Sequence, residues 1–287
     1  MKQRILQIGA IYKEGCERLE EAHVPDARLD AWYLLEHVTG ISKAAYYADP
    51  ERGLAEGEVQ EYFSYVQKRC SRIPLQHLTG EQEFMGLPFY VNEHVLIPRQ
   101  DTEVLAEKAL ELKRPGMRVL DMCTGSGCIL ISLLKLRPLK GISGVGCDIS
   151  PEALCIAEKN AGRHCVEADL RQGDLFDALP EGDRFDMIVS NPPYIPSSDI
   201  DSLQEEVRAC DPRIALDGKG DGLYFYKRII SGSVRYIRQG GWLLLEIGCE
   251  QAEAVSGMLE RAGYTGIKVK KDLAGLDRVV YGMYNGE

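Results

Sequence analysis

Asn191-Pro192-Pro193-Tyr194 follows directly on the apolar run Phe185-Asp186-Met187-Ile188-Val189-Ser190. Asn191 carries a side-chain carbonyl that can accept hydrogens from a guest NH₂ group. Pro192 and Pro193 have fixed φ and no N–H, so the turn is stiff and its backbone carbonyls meet no competing local donors. Tyr194 adds a flat face for a flat group. A planar amide or nucleobase amine is a poor nucleophile because its lone pair is delocalised, and it needs acceptors that hold its hydrogens and aim the nitrogen. The four residues together fit methylation of such a nitrogen, with Asn191, Pro192, Pro193 and Tyr194 binding and aligning it. A strand closed by a proline turn would account for Asn-Pro alone, but less well for all four residues after a buried strand.

A second stretch, Asp121-Met122-Cys123-Thr124-Gly125-Ser126-Gly127, lies between an apolar run and a helical pattern. Glycines there let a ligand approach the backbone, and the following helix N-terminus favours a carboxylate or phosphate. A dinucleotide fingerprint would place glycine at position 130, where this chain has Leu130. Asp148 ends the next strand, where an acid can accept two ribose hydroxyls. Ser150 and Pro151 already supply the N-cap and first residue of the following helix, which leaves Asp148 for a ligand. Asp174 and Leu175, before the strand that carries Asn191, offer an acceptor and apolar surface for an adenine, although Gly173-Asp174 also makes an ordinary turn.

These positions suit S-adenosylmethionine better than a dinucleotide. Its carboxylate would meet Cys123, Thr124, Gly125, Ser126 and Gly127, its ribose Asp148, its adenine Asp174 and Leu175, and its sulfonium Asn191. The expected reaction is in-line displacement of the methyl by the amino nitrogen, driven mainly by alignment and hydrogen bonding. It calls for no metal and no covalent nucleophile, and none of the five histidines sits in a recognisable acid/base constellation.

The elements that must position these groups follow from periodicity. Helical spacing covers 2–22, 26–39 and about 55–71, with Pro25 and Asp26 opening the second helix, Gly40 closing it, and Leu29, Trp32, Leu34 and Leu35 in its core. Alternation around Gly86-Leu87-Pro88 predicts a hairpin, and Asp101 or Thr102 is expected to cap the next helix. Strands at 118–122, 142–148, near 164–167, 185–190 and 242–247 then alternate with helices at 126–136, 151–162, near 222–238 and 250–262. Such alternation predicts a mostly parallel sheet covered by helices on both faces, an α/β fold whose ligands lie at the carboxyl ends of the strands. Strands at about 267–271 and 278–284 have no helix between them and should close one edge as an antiparallel hairpin.

Composition is that of a soluble globular chain of 287 residues, 45% hydrophobic and 27% charged. The net charge of −10 divides as −2 through Leu78 and −8 beyond it, which argues against a nucleic-acid partner held by phosphate contacts. The basic cluster Lys268-Val269-Lys270-Lys271 suits a solvated strand edge. No stretch has the apolar length of a membrane span, and Met1 to Glu21 reads as an amphipathic helix rather than a signal peptide. The nine cysteines form no CxxC pair, and Cys147, Cys155, Cys165 and Cys249 are expected as small buried hydrophobes in a reducing cytoplasm.

Nearly end to end the chain resembles the bacterial release-factor glutamine methyltransferases, the PrmC/HemK family. The resemblance rests on Phe84-Met85-Gly86-Leu87, Val95 to Glu103, the Asp121 to Gly127 loop, Asn191 to Tyr194, Asp217 to Leu223, Leu245-Glu246-Ile247-Gly248 and Lys271 to Arg278. It implies a class I S-adenosylmethionine-dependent methyltransferase fold, divided as a helical docking domain over 1–78, a hairpin linker over 79–98 and a methyltransferase domain over 99–287. It further implies methylation of the glutamine side-chain amide in the Gly-Gly-Gln motif of peptide-chain release factors, by a cytoplasmic monomer with no membrane and no direct nucleic-acid partner. In that family the glycine loop, the acid matching Asp148, and Asn191 contact the cofactor, while the Asn-Pro-Pro-Tyr turn holds the glutamine. The chain departs from the family at Cys123, where glycine is frequent, at Gln100, where proline is usual, and at Leu175, where some members have tryptophan. Cys123 raises the question of the loop's φ, and Leu175 that of adenine stacking. Two rival functions are a nucleic-acid amino methyltransferase acting on adenine or guanine, and a non-catalytic cofactor-binding interaction protein.

Overall fold

From residue 6 to residue 286, the span that this computed structural model describes, the chain begins with β1 (Leu6–Gln7), α1 (Ile8–Glu21), α2 (Ala27–Thr39), α3 (Lys43–Ala48), β2 (Gly53–Leu54), α4 (Glu56–Cys70) and α5 (Leu75–Thr79). A hairpin of β3 (Glu81–Phe84) and β4 (Leu87–Tyr90) leads into α6 (Gln100–Leu112). Strand and helix then alternate through β5 (Arg118–Met122), α7 (Cys128–Lys135), β6 (Ser143–Asp148), α8 (Pro151–His164), β7 (Asp169–Gln172) and β8 (Phe185–Ser190). Short helices α9 (Glu205–Cys210) and α10 (Arg213–Leu216) precede α11 (Tyr224–Ser233), β9 (Ile237–Glu246), α12 (Ala252–Arg261), β10 (Tyr264–Lys271) and β11 (Asp277–Tyr284). Among the described residues no helix is long and apolar enough to cross a membrane.

Two units form, Met1–Gly80 with Glu205–Cys210, and Glu81–Gln204 with Asp211–Glu287. The first is helical around Ile8, Ile11, Leu19, Trp32, Leu34, Leu35, Tyr62 and Val66. Helix α2 has Asp26 at its N-cap and closes on Gly40, whose φ of 66° suits a residue without Cβ. Residues 2–5 of the expected first helix lie outside the described residues, and α1 starts at Ile8. Leu29 is 44% exposed rather than core, because it shares the outer stripe of α2 with Tyr33. Helix α9 belongs to this unit through Arg69, which donates to Asp30 at 2.7 Å and to both Glu206 oxygens at 2.8 and 3.1 Å.

The second unit holds a seven-stranded sheet in the order β10-β11-β9-β8-β5-β6-β7. Strands β9, β8, β5, β6 and β7 are parallel, and β11 is antiparallel to both β9 and β10. Both faces are buried, as period-two alternation within near-continuous apolar strands requires. Leu120, Ile188, Leu243, Leu245 and Val280 pack with α11 and α12 residues such as Ile229 and Leu259. Val119, Met187, Val189, Leu244 and Val279 pack on the other side with Leu105, Ile129 and Leu133 of α6 and α7.

Several boundaries differ from the periodicity. Helix α8 continues to His164, whose ring bonds Pro88 O at 2.8 Å, and it ends on Cys165 at φ 54°, so the following strand starts only at Asp169. Helix α11 stops at Ser233 and β9 begins at Ile237. The hairpin turns on Met85 and Gly86, at φ 53° and 72°, which leaves Leu87 and Pro88 inside β4. The hairpin packs as part of the second unit, with Phe84 and Phe89 in its core. Arg99, not Asp101 or Thr102, is the N-cap of α6, so Thr102 falls in the helix's first turn. Cys147 is buried as expected, whereas Cys155, Cys165 and Cys249 are exposed, on the outer face of α8, at its end, and in the loop after β9.

Arg69 is 4% exposed and is the direct donor to the buried Asp30 carboxylate. Removing one partner of a buried pair strands the other charge, at a cost of about 3–5 kcal/mol. Arg69→Met should therefore lower the unfolding free energy of the helical unit, taken from a denaturant titration, by that amount, and an unchanged value would show that the Arg69–Asp30 pair does not tie α4 to α2.

Candidate active site

Strand order decides which loops meet. Because β8 and β6 flank β5, the turn at Asn191, the glycine loop and Asp148 emerge side by side at the carboxyl ends of these strands. There the second unit has a cavity of about 330 Å³, bounded by Cys123, Thr124, Gly125, Ser126, Asp148, Asp174, Leu175, Asn191 and Pro193 among the residues singled out by sequence.

The glycine loop is built around Asp121, a fully buried β5 residue. Its Oδ2 accepts the Thr124 hydroxyl at 2.7 Å and the Leu130 N–H at 3.3 Å. Oδ1 is buried with no donor among the described residues. Burial drives the Asp121 carboxyl up to about 7, against the charge-stabilising bonds from Thr124 and Leu130. Cys123 sits at φ 62°, in the left-handed region that favours glycine. Gly125 (φ 55°) faces the cavity, but Gly127 (φ 78°) does not: a Cβ there would come within 2.9 Å of Ile131 Cδ1 and 3.2 Å of Ala157 Cβ, so close helix packing requires its glycine.

Asp148 is not left unengaged. Its Oδ2 accepts Gly125 N–H at 2.8 Å and its Oδ1 accepts Ser150 N–H at 3.0 Å, which binds the end of β6 to the glycine loop. Each carboxylate oxygen still has lone-pair capacity for one more donor. Burial raises the Asp148 pKa, opposed by those backbone bonds. Ser150 caps α8 by accepting from Ala153 N at 3.1 Å, with Pro151 as the first helical residue.

Asp174 is held by Arg228 of α11, which donates to each of its oxygens at 3.0 Å and, as at Asp148, leaves each oxygen lone-pair capacity for a further donor. Leu175 is nearly buried at the wall, at φ 55°. In the proline turn, Asn191 Nδ2 donates to Thr102 Oγ1 at 3.1 Å. Pro193 lines the cavity, whereas Pro192 is buried behind it and Tyr194 is built into the turn's support. The Tyr194 hydroxyl donates to Glu246 Oε1 at 3.4 Å, and its carbonyl accepts Gln251 Nε2 at 3.0 Å. Glu246, 1% exposed at the end of β9, is driven up to about 7 by burial, with the Thr102 and Tyr194 hydroxyls and the Arg278 charge acting the other way.

Sequence reasoning missed Arg99, Thr102 and Arg228, which also line the cavity. Arg228 had no signal, because its position depends on how α11 packs. Thr102 had one: it lies within the Arg99 to Glu103 stretch, but helix-capping logic absorbed it.

The chain matches the family model described as PrmC N-terminal domain over residues 10–80 and the methyltransferase small domain model over residues 100–218. It is 44% identical over 264 residues to a release factor glutamine methyltransferase of Geobacter sulfurreducens, covering 92% of each chain. Against the protein of the same name in Caulobacter vibrioides it is 37% identical over 273 residues, covering 94% of this chain and 93% of the other. A crystal structure of a methyltransferase from Pyrococcus furiosus superposes with a TM-score of 0.54 at 15% identity, covering 77% of this chain and all of that one, a likeness of fold alone.

Because folding raises the Asp121 pKa from 3.8 to about 7, the group's contribution to stability is full below about 3.8 and is lost as pH rises through about 7. Asp121→Asn, which cannot ionise, should flatten the fall in melting temperature between roughly pH 4 and pH 7. An unchanged slope would mean that Asp121 titrates as an exposed carboxylate.

Proposed function

The chain belongs to the release factor glutamine methyltransferase family, and on that premise we propose that it methylates the side-chain amide nitrogen of the Gly-Gly-Gln glutamine in peptide-chain release factors, using S-adenosylmethionine. The observation that carries this reading is that Asp148 and Asn191 stand on the walls of one cavity, separated by the glycine loop. When bound, S-adenosylmethionine supplies a methyl group on a sulfonium, a good leaving group that needs an aligned acceptor rather than further activation.

The residues present fit that cofactor. Asp148 keeps lone pairs for two ribose hydroxyls after its bonds to Gly125 and Ser150. Cys123 to Ser126 present a bent loop ahead of α7, where a carboxylate is favoured. The adenine end falls to Leu175, the backbone near Gly173 and the remaining lone pairs of Asp174, whose carboxylate Arg228 holds in place. At the acceptor end, Asn191 has committed its NH₂ to Thr102, which leaves Oδ1 to accept a hydrogen from the glutamine amide. Pro193 stiffens the wall beside it, and Pro192 and Tyr194 hold the turn from behind. Held by acceptors in this way, the amide nitrogen has its lone pair aimed rather than averaged over orientations.

We assign docking of the release factor to the helical unit, which has its own core and matches the family's N-terminal domain. The same reading makes the protein a cytoplasmic monomer, and the nine free thiols, three of them exposed, suit a reducing compartment.

Incubation with methyl-labelled S-adenosylmethionine and unmodified release factor, followed by peptide mass mapping, should place label on the loop glutamine and none on a release factor in which that glutamine is replaced. Label entering RNA or DNA instead would reassign the substrate. Asn191→Ala should lower turnover by about 100-fold or more with the fold intact, and near-normal turnover would remove Asn191 from the chemistry.

A further inference from the structure

Asp174 stands at the start of the short helical turn Leu175–Ala178, yet its side chain caps nothing there. Both of its oxygens go instead to Arg228 of α11, Oδ1 accepting from Nη1 and Oδ2 from Nη2, each at 3.0 Å. Two parallel bonds between planar groups fix the carboxylate in rotation as well as in place. The guanidinium is steadied in turn by Tyr224, one turn earlier on α11, whose ring centroid lies 5.5 Å from Arg228 Cζ. The backbone beneath is set as well. Gly173 N–H donates to Asp148 O at 2.9 Å, and a Cβ on Gly173 would come within 2.7 Å of Ala178 N. Asp174 therefore follows directly on a residue bonded to the proposed ribose acid, and it lines the same cavity as Asp148, Leu175, Tyr224 and Arg228. A base joined to that ribose arrives beside a carboxylate whose orientation is already fixed. With the Arg228 and Asp174 side chains 33% and 42% exposed, the ion pair adds little to stability, so tethering α11 is a weak reason for it.

We propose that Arg228 is a positioning residue that makes the cavity selective for adenine, by holding the Asp174 carboxylate so that its remaining lone pairs meet the exocyclic amine of the base. This rests on the functional reading above, in which the cavity binds S-adenosylmethionine. Adenine carries a donor at its 6-position, whereas a 6-oxo purine carries an acceptor there. A fixed carboxylate attracts the first and repels the second. A carboxylate free to rotate and to hydrate does each less well. A simple tether between α11 and the turn makes a different prediction, because its loss would weaken binding of both bases alike.

The test measures the affinity of the full chain for S-adenosylhomocysteine and for its inosine analogue, in which oxygen replaces the exocyclic amine. The wild-type chain should prefer the adenosyl ligand by about 10-fold or more, as a site built to accept from a donor rejects the analogue that lacks it. Arg228→Met should narrow that preference by about 3–10-fold, since a charged hydrogen bond is loosened rather than abolished. Arg228→Lys keeps the charge but not the planar fork, and should narrow it nearly as far. In an Asp174→Ala background Arg228→Met should leave the preference unchanged, because a residue that acts only through Asp174 has nothing left to orient. The preference is a ratio of two affinities on one preparation, so a loss of folded protein alone does not change it. Equal weakening of both ligands in Arg228→Met, full wild-type preference in Arg228→Lys, a further change in the Asp174→Ala background, or a wild-type chain that binds both ligands equally would each overturn the positioning role. Methyl transfer is assayed separately. A wild-type chain that prefers the adenosyl ligand but leaves unmodified release factor unlabelled would bring down the choice of substrate while supporting this inference, whereas one that binds neither ligand would bring down both.

Discussion

Three carboxylates near the carboxyl ends of parallel strands, Asp121 of β5, Asp148 of β6 and Glu246 of β9, hold the loops of the cavity in place. An acid withdrawn from water must find donors or protonate, and here the donors come from the loops themselves. Thr124 and Leu130 serve Asp121, Gly125 and Ser150 serve Asp148, and Tyr194 serves Glu246. Burial drives Asp121 and Glu246 to about 7, so both titrate close to neutrality. The loops are thereby shaped around carboxyl groups whose positions the sheet has already fixed.

A loop tied down in this way can also hold unfavourable backbone. Cys123 at φ 62° and Leu175 at φ 55° are non-glycine residues in the left-handed region, each costing about 1–2 kcal/mol relative to ordinary conformations. Both lie on the cavity wall, where such strain tends to gather. Cys123 therefore holds a backbone geometry that glycine would supply without strain. Leu175 keeps an apolar surface at the wall. The close approach at Gly127 is of another kind, since it serves the packing of Ile131 and Ala157 rather than the cavity.

The sheet was legible because both of its faces are buried and its strands are nearly continuous apolar runs bounded by turn residues. The runs at β5, β8 and β11 matched within a residue or two. The short β7 did not, since nothing local signals that α8 will continue to His164, whose ring bonds Pro88 of the distant hairpin. The cap of α6 was misplaced for a related reason. Asp101 and Thr102 have capping chemistry, but Arg99 takes the extended conformation at the helix start, and Thr102 is drawn inward by Asn191.

Local sequence determined the residue types that can do this chemistry and the strands that deliver them: an amide acceptor in a proline-stiffened turn, a glycine loop, and an acid at a strand end. Tertiary structure decided what each of those groups has left to offer. Asp148 spends one bond per oxygen on the loop, Asp174 spends one per oxygen on Arg228, Tyr194 turns away to Glu246, and Asn191 commits its NH₂ to Thr102, 89 residues earlier in the chain. The physical reason is that hydrogen-bonding capacity belongs to a residue, whereas its consumption depends on partners brought together only by strand order and helix packing.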